Sequence, residues 1–465
     1  MNEAECELRL VEHNAIELDA NKIALVSRKN SGWAVLDAIG YRKLLDTFSS
    51  PLRMSAGCLD DGGSIESLWR SGLIEADGST SIDLNRARSH PTNVLIKLTD
   101  ACNYVCTYCY DHKEGSANAN LSLEKAKETL DFVLDGAQDE RITISFHGGE
   151  PLLLFSKIKD LVAYIESRRR SAQRIAYSVQ TNGTLFSDEV IEFLDRYEFS
   201  VGISLDGNSA DQNKFRIRQD GQTPFGHFEV LLRDHPEFVR RRCGVMTVVN
   251  SASIESIPSF ALWLQGHGVT SLALVLLQTM GRGKDIDLNQ VTVQQVREVY
   301  DTLIAYIEEG RLNSLFIRNI ISCLGNFLYF ADGEICYRGV CMAATNFLVL
   351  APDGSFKICD CSDTDEFLLG KSLDAVKDPL NKKRIAIRER SIHLGTEHLA
   401  CSKCEIYGLC GGGCAARAST NNGSFHSMDQ VECELFRHLY RKFLDDYAYD
   451  RRSLFDYFAA YENQS

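Results

Sequence analysis

Between residues 93 and 277 the chain alternates short apolar runs with amphipathic stretches that have the spacing of surface helices. Six of the runs are predicted to be strands: residues 93–99, 142–148, 175–182, 199–206, 244–250 and 271–277. Repeated strand–helix units of this length form parallel sheets, either open or closed into a barrel. Six units make a partial version of the eight-stranded barrel, so we predict an α/β protein with a partial (β/α)6 barrel.

Polar motifs follow each of the first four predicted strands. A loop with three cysteines follows the first strand, "HGGEP" follows the second, "QTNG" ends the third and "SLDG" ends the fourth. The loops that leave the carboxyl ends of parallel barrel strands converge on one rim, where chemistry collects. We therefore expect the four motifs to form one functional site.

The three-cysteine loop, "DACNYVCTYCYDHKEG", contains Cys102, Cys106 and Cys109 within eight residues. Thiolates on a tight loop can reach three corners of a 4Fe–4S cluster, which leaves the fourth iron without a protein ligand. An open metal position is where a substrate or cofactor can coordinate, as in catalytic zinc sites. The alternative is a zinc site whose fourth ligand lies elsewhere in the chain.

Sixteen cysteines are many for 465 residues. The amino terminus, "MNEAECELRL", is acidic where a signal peptide needs a basic start, and no run approaches the roughly 18 apolar residues of a membrane span. We therefore expect a cytoplasmic protein whose clustered cysteines bind metal rather than form disulfides. The net charge of −14 argues against nucleic-acid binding and favours a basic peptide as partner.

Residues 1–90 have the pattern of a separate small domain. Short strands around an Asn turn are predicted in residues 17–27, helical spacing covers residues 32–48, and a helix ending at Gly72 precedes a short strand. Helices followed by a small β-wing favour a winged-helix-like domain; a purely structural lobe is the alternative. We predict further units at residues 91–330 (barrel), 331–435 (cysteine-rich domain) and 436–465 (helical tail).

The cysteine loop, with Tyr108 before its last cysteine, and the motif Gly148-Gly149-Glu150-Pro151 together resemble the radical S-adenosylmethionine (SAM) superfamily. The resemblance implies that SAM chelates the open iron and is cleaved to a 5′-deoxyadenosyl radical, which abstracts a substrate hydrogen. It also implies SAM contacts from this chain. The implied contacts are the backbone at Gly148 and Gly149, Glu150 to the methionine ammonium, Gln180 and Asn182 to ribose or carboxylate, Ser204 on the fourth strand, and Arg216, with Arg218 as its alternative, to the SAM carboxylate.

The C-terminal third carries Cys341-x12-Gly354-x4-Cys359, then Cys401-x2-Cys404-x5-Cys410-x3-Cys414, then Cys433. A zinc ribbon is the plain interpretation, but the full run resembles the SPASM domain, which houses two auxiliary 4Fe–4S clusters. The resemblance implies one cluster on Cys336, Cys341, Cys359 and Cys414 and a second on Cys401, Cys404, Cys410 and Cys433. Anaerobic sulfatase maturases, which are SPASM relatives, have an aspartate at the position of Asp360, and this resemblance implies that Asp360 is a catalytic base; an exposed loop carboxylate is the alternative.

Sulfatase maturases begin almost at the cysteine loop, whereas maturases of ribosomally made peptides often carry a winged-helix peptide-recognition domain before it. The long N-terminal region of this chain, residues 1–90, is similar to such a peptide-recognition domain and therefore favours a maturase of ribosomally made peptides. We expect a precursor peptide or small protein to bind through a leader, and an intramolecular thioether or carbon–carbon crosslink to form in a net oxidation. The electron donor is expected to be a flavodoxin or ferredoxin. The alternatives are a formylglycine-forming sulfatase maturase and a zinc-binding scaffold without chemistry.

Overall fold

A mostly parallel β-sheet forms the centre of the protein. The computed structural model describes residues 5–82, 90–112, 119–137, 141–218, 220–287, 291–329, 341, 343, 346–378 and 381–464. The strands in these ranges are β1 Glu5–Leu10, β2 His13–Glu17, β3 Lys22–Ser27, β4 Trp33–Asp37, β5 Leu52–Ser55, β6 Ile74–Ala76, β7 Asn93–Thr99, β8 Arg141–Gly148, β9 Arg174–Thr181, β10 Ser200–Ser204, β11 Cys243–Val249, β12 Ser271–Leu276, β13 Phe316–Ile317, β14 Phe347–Leu350, β15 Phe356–Lys357 and β16 Leu368–Gly370. Within the same ranges the central sheet has ten strands, in the order β13-β12-β11-β10-β9-β8-β7-β14-β15-β16.

The six predicted barrel strands are present as β7 to β12, each within two residues of its predicted bounds. They pair in parallel and in chain order, from β7 with β8 through to β11 with β12. Parallel neighbours in chain order are the arrangement of a partial barrel. The carboxyl ends of these strands therefore lie along one edge, as the four polar motifs require.

Helices follow most of the strands and cover the sheet. They are α1 Ala38–Thr47, α2 Ser64–Arg70, α3 Leu123–Gly136, α4 Phe155–Arg168, α5 Asp188–Arg196, α6 Phe225–Asp234, α7 Pro236–Arg242, α8 Ile257–Gly266, α9 Val293–Glu308, α10 Arg318–Leu328, α11 Leu373–Lys377, α12 Lys382–Glu397, α13 Leu399–Ser402, α14 Tyr407–Cys410, α15 Ala415–Asn422, α16 Gln430–Ala448 and α17 Ser453–Glu462. Helix α3 shows why such a stretch of sequence forms a helix. The Ser122 hydroxyl accepts a hydrogen bond from Lys125 N–H (3.0 Å) and so caps the helix. Leu130 and Val133 are fully buried on one face of it.

The cysteine-rich segment extends the central sheet instead of forming a sheet of its own. Strand β14 pairs in parallel with β7, and β15 and β16 continue the sheet antiparallel. The register sets Leu350 against Ile96. The residues that follow β15 are therefore brought beside the first barrel strand and its cysteine loop.

Two three-stranded antiparallel sheets occur in the described N-terminal residues, in the orders β5-β1-β6 and β2-β3-β4. The helix predicted over residues 32–48 is partly wrong, because Trp33–Asp37 is strand β4 and the helix begins at Ala38. Strand β4 pairs with β3, and the Trp33 indole stacks on Phe327 at 4.0 Å between ring centres. These tertiary contacts outweigh the helical spacing of the apolar residues.

The predicted helical tail is present as α16 and α17, and a left-handed residue, Asp450 (φ 53°), lies in the turn between them. Both helices pack into the main core through residues such as Leu439, Phe443 and Leu454, which are fully buried. In the part of the chain that the structure describes, no helix combines the length and the apolar character needed to cross a membrane.

Candidate active site

The three-cysteine loop leaves the carboxyl end of β7 and is held by the segment that follows β10. Val105 N–H donates to the Ile217 carbonyl at 2.7 Å. Thr107 N–H donates to the Phe215 carbonyl at 3.0 Å. These two hydrogen bonds hold the backbone of the cysteine loop against residues 215–217, which follow β10.

Cys102 is exposed and Cys106 and Cys109 are half-buried, but the surrounding protein atoms disfavour the charged form of all three thiols. Burial raises the pKa of Cys102 to about 12 and that of Cys106 to about 11, and it also raises the pKa of Cys109. Such thiols give up their protons when a metal cation takes the place of the proton. Three thiols on one short loop are the donor set of an iron–sulfur cluster.

Gly148 and Gly149 bring the end of β8 against the start of the cysteine loop. Gly148 has φ 126°, and a Cβ atom there would lie 2.3 Å from the Thr99 carbonyl oxygen. A Cβ atom on Gly149 would lie 2.2 Å from the Ala101 carbonyl oxygen. Gly149 N–H donates a hydrogen bond to the Thr99 carbonyl oxygen (2.7 Å), and Glu150 N–H donates one to the Ala101 carbonyl oxygen (2.9 Å). The two glycines are therefore required by contact with the chain itself just before Cys102.

The Glu150 carboxylate is fully buried and occupied by protein donors. It accepts hydrogen bonds from the Thr181 hydroxyl (2.8 Å) and from Asn182 N–H (2.8 Å). It also accepts one from Leu152 N–H (3.1 Å). Burial raises the pKa of Glu150 to about 7 in spite of these bonds. The side chain therefore joins the ends of β8 and β9.

The two polar residues predicted at the end of β9 face different partners. The Asn182 amide donates to Asn103 Oδ1 (2.7 Å) and lies 3.9 Å from the Cys102 sulfur. The Gln180 amide donates to the Ser204 hydroxyl (2.9 Å) on the neighbouring strand β10. Asn182 is thus beside the cysteine loop, while Gln180 and Ser204 form a polar pair farther along the rim.

Arg216 and Tyr108 share one buried carboxylate, that of Asp206. Arg216 Nε donates to Asp206 Oδ1 (2.9 Å), and the Tyr108 hydroxyl donates to the other oxygen. The guanidinium also lies 5.2 Å from the centre of the Tyr108 ring. Arg218, the alternative, has a side chain 34% exposed and pairs with Asp220 at 3.3 Å. Asp206 is therefore the anchor that fixes Arg216 and the residue before Cys109.

A buried ionic network connects the cysteine loop with the segment after β15. The Lys97 ammonium, on the inner face of β7, contacts the carboxylates of both Asp111 and Asp360. The Tyr110 hydroxyl donates to Asp360. Although burial opposes its charge, the two carboxylates raise the pKa of Lys97. Lys97 therefore stays a cation between an acid of the loop and an acid of the cysteine-rich segment.

Asp360 is buried, with 7% of its surface exposed, so the exposed-loop alternative is wrong. Burial on its own would raise the pKa of Asp360, but the Lys97 and His147 side chains and the Tyr110 hydroxyl lower it below the usual value. Asp360 is therefore held ionised, which leaves it able to accept a proton, but its lowered pKa makes it a weak base, since a catalytic base works best with a pKa near the operating pH.

Four of the predicted ligands line a single pocket in the C-terminal region: Cys401, Cys404, Cys410 and Cys433. Burial raises the pKa of Cys401, Cys410 and Cys433. Among the described residues, no group of three His, Cys, Asp or Glu side chains converges closely enough to hold one metal ion. A four-iron cube is larger than one ion and takes its thiolates from a wider ring.

The other predicted set is described in part. Cys336 lies outside the described residues. Cys359 shares a hydrogen bond with the thiol of Cys361, and the charges of Cys414 and Cys341 also raise its pKa. Cys361, which the sequence offers as an alternative to Cys336 in this set, therefore lies in the same thiol group. The remaining cysteines, Cys6, Cys58, Cys243 and Cys323, are buried as small apolar residues.

Several residues of the site were not predicted, and two of them, Lys97 and Asp206, hold the others in place. Lys97 is the one charged residue in the apolar run "NVLIKLT", a signal that the sequence contains. Asp206 lies inside the quoted motif "SLDG", in which only Ser204 was given a contact. Both residues act by holding other site residues, and that kind of role becomes visible only when their partners are known.

Comparison with known proteins gives a family for the barrel. Residues 96–255 match the model of the radical SAM superfamily. An uncharacterised protein of Methanocaldococcus jannaschii is 30% identical over 191 residues, which are 40% of this chain and 63% of that protein. A cysteine-type anaerobic sulfatase-maturating enzyme of Clostridium novyi is 24% identical over 78% of this chain and 98% of the enzyme. The mycofactocin maturase MftC of Mycolicibacterium smegmatis is 27% identical over 71% of this chain and 80% of that protein.

Solved structures share the fold. The structure of native anSMEcpe with bound AdoMet and Kp18Cys peptide has a TM-score of 0.66 and 22% identity, and the match covers 79% of this chain and 99% of that one. Streptococcus suis SuiB bound to precursor peptide SuiA has a TM-score of 0.53 and 16% identity, and the match covers 91% of this chain and 99% of that one.

Proposed function

Because residues 96–255 are a radical SAM domain, we propose that the chain is a maturase of the SPASM type that crosslinks a ribosomally made peptide. The observation that carries the proposal is that the cysteines outside the first loop collect elsewhere. Four line one pocket, and Cys341, Cys359 and Cys414 influence one another at another place. Three thiols then remain for the first cluster, with one iron open to SAM.

When bound, SAM and the first cluster supply the one-electron chemistry that removes a substrate hydrogen atom. The protein's own part is to position and to accept a proton. Asp206 holds Arg216 and Tyr108 beside the loop, and Asn182 lies next to Cys102. Asp360 takes the substrate proton, and Lys97 stabilises its charge. The predicted auxiliary ligands would hold two further clusters that could accept the electron left after bond formation. A flavodoxin or ferredoxin would be the electron donor that reduces the first cluster.

The N-terminal sheets support a peptide substrate. They lie in the part of the chain that precedes the barrel, where a winged-helix-like domain binds a leader by adding it as a strand. The match to SuiB, a protein solved with a precursor peptide, covers 91% of this chain, whereas the match to anSMEcpe covers 79%. The buried Asp360 favours the second candidate, a formylglycine-forming sulfatase maturase.

The test is anaerobic purification followed by iron, sulfide and zinc analysis, and then co-expression with short peptides encoded beside the gene. An iron content equivalent to about three clusters per chain supports the proposal, and a chain that contains zinc instead of iron contradicts it. A crosslink removes two hydrogens from the peptide and keeps its sulfur, whereas formylglycine formation on a cysteine removes two hydrogens and also replaces the sulfur with oxygen. Changing Cys102, Cys106 and Cys109 together to Ala is expected to abolish SAM cleavage, with Cys243→Ala as the control.

A further inference from the structure

The β2–β3 hairpin of the N-terminal region contacts the loop that carries Cys404 and Cys410. The Asn14 amide, on β2, donates to the carbonyl oxygens of Cys404 (3.0 Å) and Glu405 (2.9 Å). Arg28 Nη1 donates to Asn14 Oδ1 (3.2 Å), which holds the amide in this orientation. A side chain of the first 15 residues therefore binds backbone next to a predicted cluster ligand.

Gly408 brings the two backbones into direct contact. It lies between Cys404 and Cys410, and a Cβ atom there would lie 1.7 Å from the Ser27 carbonyl oxygen. The same atom would lie 2.7 Å from the Asn30 carbonyl oxygen. Only a residue without a side chain allows this approach.

The hairpin is also joined to the helix that carries Cys433. Arg441, on α16, donates to the Glu17 carbonyl at 3.2 Å. Lys22 donates to the Ala448 carbonyl at the end of the same helix. Ala24 and Val26 are fully buried in the main core, while Leu25 between them packs in a separate cluster with Leu44 of α1, so the hairpin joins the N-terminal region to the main core.

We propose that residues 13–37 brace the loop and the helix that carry the ligands of the second auxiliary site and are in turn fixed by its cluster, so that the order of the hairpin and the retention of that cluster are coupled. This coupling rests on the proposed cluster at Cys401, Cys404, Cys410 and Cys433. A cluster that orders the loop strengthens the hairpin contacts, and by linkage the hairpin strengthens retention of the cluster by the same factor. A purely structural hairpin would give no such reciprocity.

The first arm of the test measures how fast a chelator removes iron from anaerobically purified full-length protein. The irons lost in Cys433→Ala identify the second auxiliary site. We expect Asn14→Ala to release those irons about tenfold faster than the wild type, which is equivalent to about 1.4 kcal/mol, because two hydrogen bonds to the loop are lost. Asn21→Ala is the control, since Asn21 is exposed at the turn of the same hairpin.

Gly408→Ala tests the backbone contact between Gly408 and Ser27 while the four cysteines of the site stay unchanged. We expect a similar acceleration of iron release, and none from Gly226→Ala, where an added Cβ atom meets nothing within 4 Å. If Gly408→Ala fails to fold, Asn14→Ala still decides, because it alters neither the loop nor a ligand.

The second arm measures hydrogen exchange in residues 22–37. Cys433→Ala is expected to accelerate exchange there at least fivefold and to leave β8 unchanged, whereas Cys359→Ala leaves residues 22–37 unchanged. Iron loss in Cys433→Ala without faster exchange, together with equal release from Asn14→Ala and Asn21→Ala, would overturn the coupling alone. An iron content in Cys433→Ala equal to that of the wild type would overturn the cluster assignment as well.

Discussion

Replacing Lys97 with Met removes the cation from between two buried carboxylates. Lys97 is 1% exposed, and its ammonium contacts Asp111 and Asp360, which are 8% and 7% exposed. Removing one partner of a buried ion pair costs about 3–5 kcal/mol, because the remaining charge is left without compensation in a poorly solvated site. Lys97→Met is therefore expected to lower the free energy of unfolding by about that amount, which is a large share of a typical domain's stability.

The measurement is denaturant unfolding of samples with equal iron content, since bound clusters add their own stabilisation. Lys159→Met is the matched control, because Lys159 pairs with Glu189 at 2.6 Å on the surface, with side chains 41% and 68% exposed. An exposed pair contributes about 0–1 kcal/mol. A loss in Lys97→Met no larger than that in Lys159→Met would refute the ionic network.

Asp360→Asn completes a double-mutant cycle with Lys97→Met. The double variant is expected to lose less stability than the sum of the two single variants, because each single variant already breaks the same contact. In Lys97→Met the Asp360 carboxyl also loses the cation that lowers its pKa, so burial favours its protonated form. Peptide product is then expected to fall while SAM cleavage continues; equal losses of both would place Lys97 outside proton acceptance.

Three other changes probe the rim. Gly148→Ala puts a Cβ atom 2.3 Å from the Thr99 carbonyl at φ 126°, so we expect loss of iron from the first site, measured against Gly226→Ala. Asp206→Asn removes the anion that pairs with Arg216, and SAM is expected to bind about tenfold more weakly by calorimetry, a loss of about 1.4 kcal/mol. Glu150 has a folded pKa of about 7 against an ordinary 4.5, so the folded chain holds a proton that the unfolded chain has already released. Stability therefore falls by up to about 3 kcal/mol as pH rises through that interval, and Glu150→Gln is expected to lack this slope in pH-dependent unfolding.

The barrel could be predicted because its signals are local. Each strand is a short apolar run, and its polar residues come at the end where the chain turns, so β7 to β12 and the shared rim followed from sequence order alone. The strand at Trp33–Asp37 could not be predicted in this way, because its apolar spacing also fits a helix. Its partner β3 and the Phe327 ring decide between the two structures. The pairing of β14 with β7 likewise depends on residues some 250 positions apart, which no local pattern reports.

The same reasoning explains why the predicted ligands could be grouped while the links between the groups could not. Cysteine spacing is a local signal, but each thiol group is tied to the next by contacts of buried polar side chains. Lys97 joins the first loop to Asp360, beside Cys359. The Glu432 carboxylate, beside Cys433, accepts a hydrogen bond from Cys414 N–H at 2.6 Å. Such contacts are costly when one partner is missing, so they fix the relative positions of the three groups more strictly than apolar packing does. Electron transfer between clusters would depend on those positions, and the residues that set them are therefore Lys97 and Glu432, neither of which is a ligand.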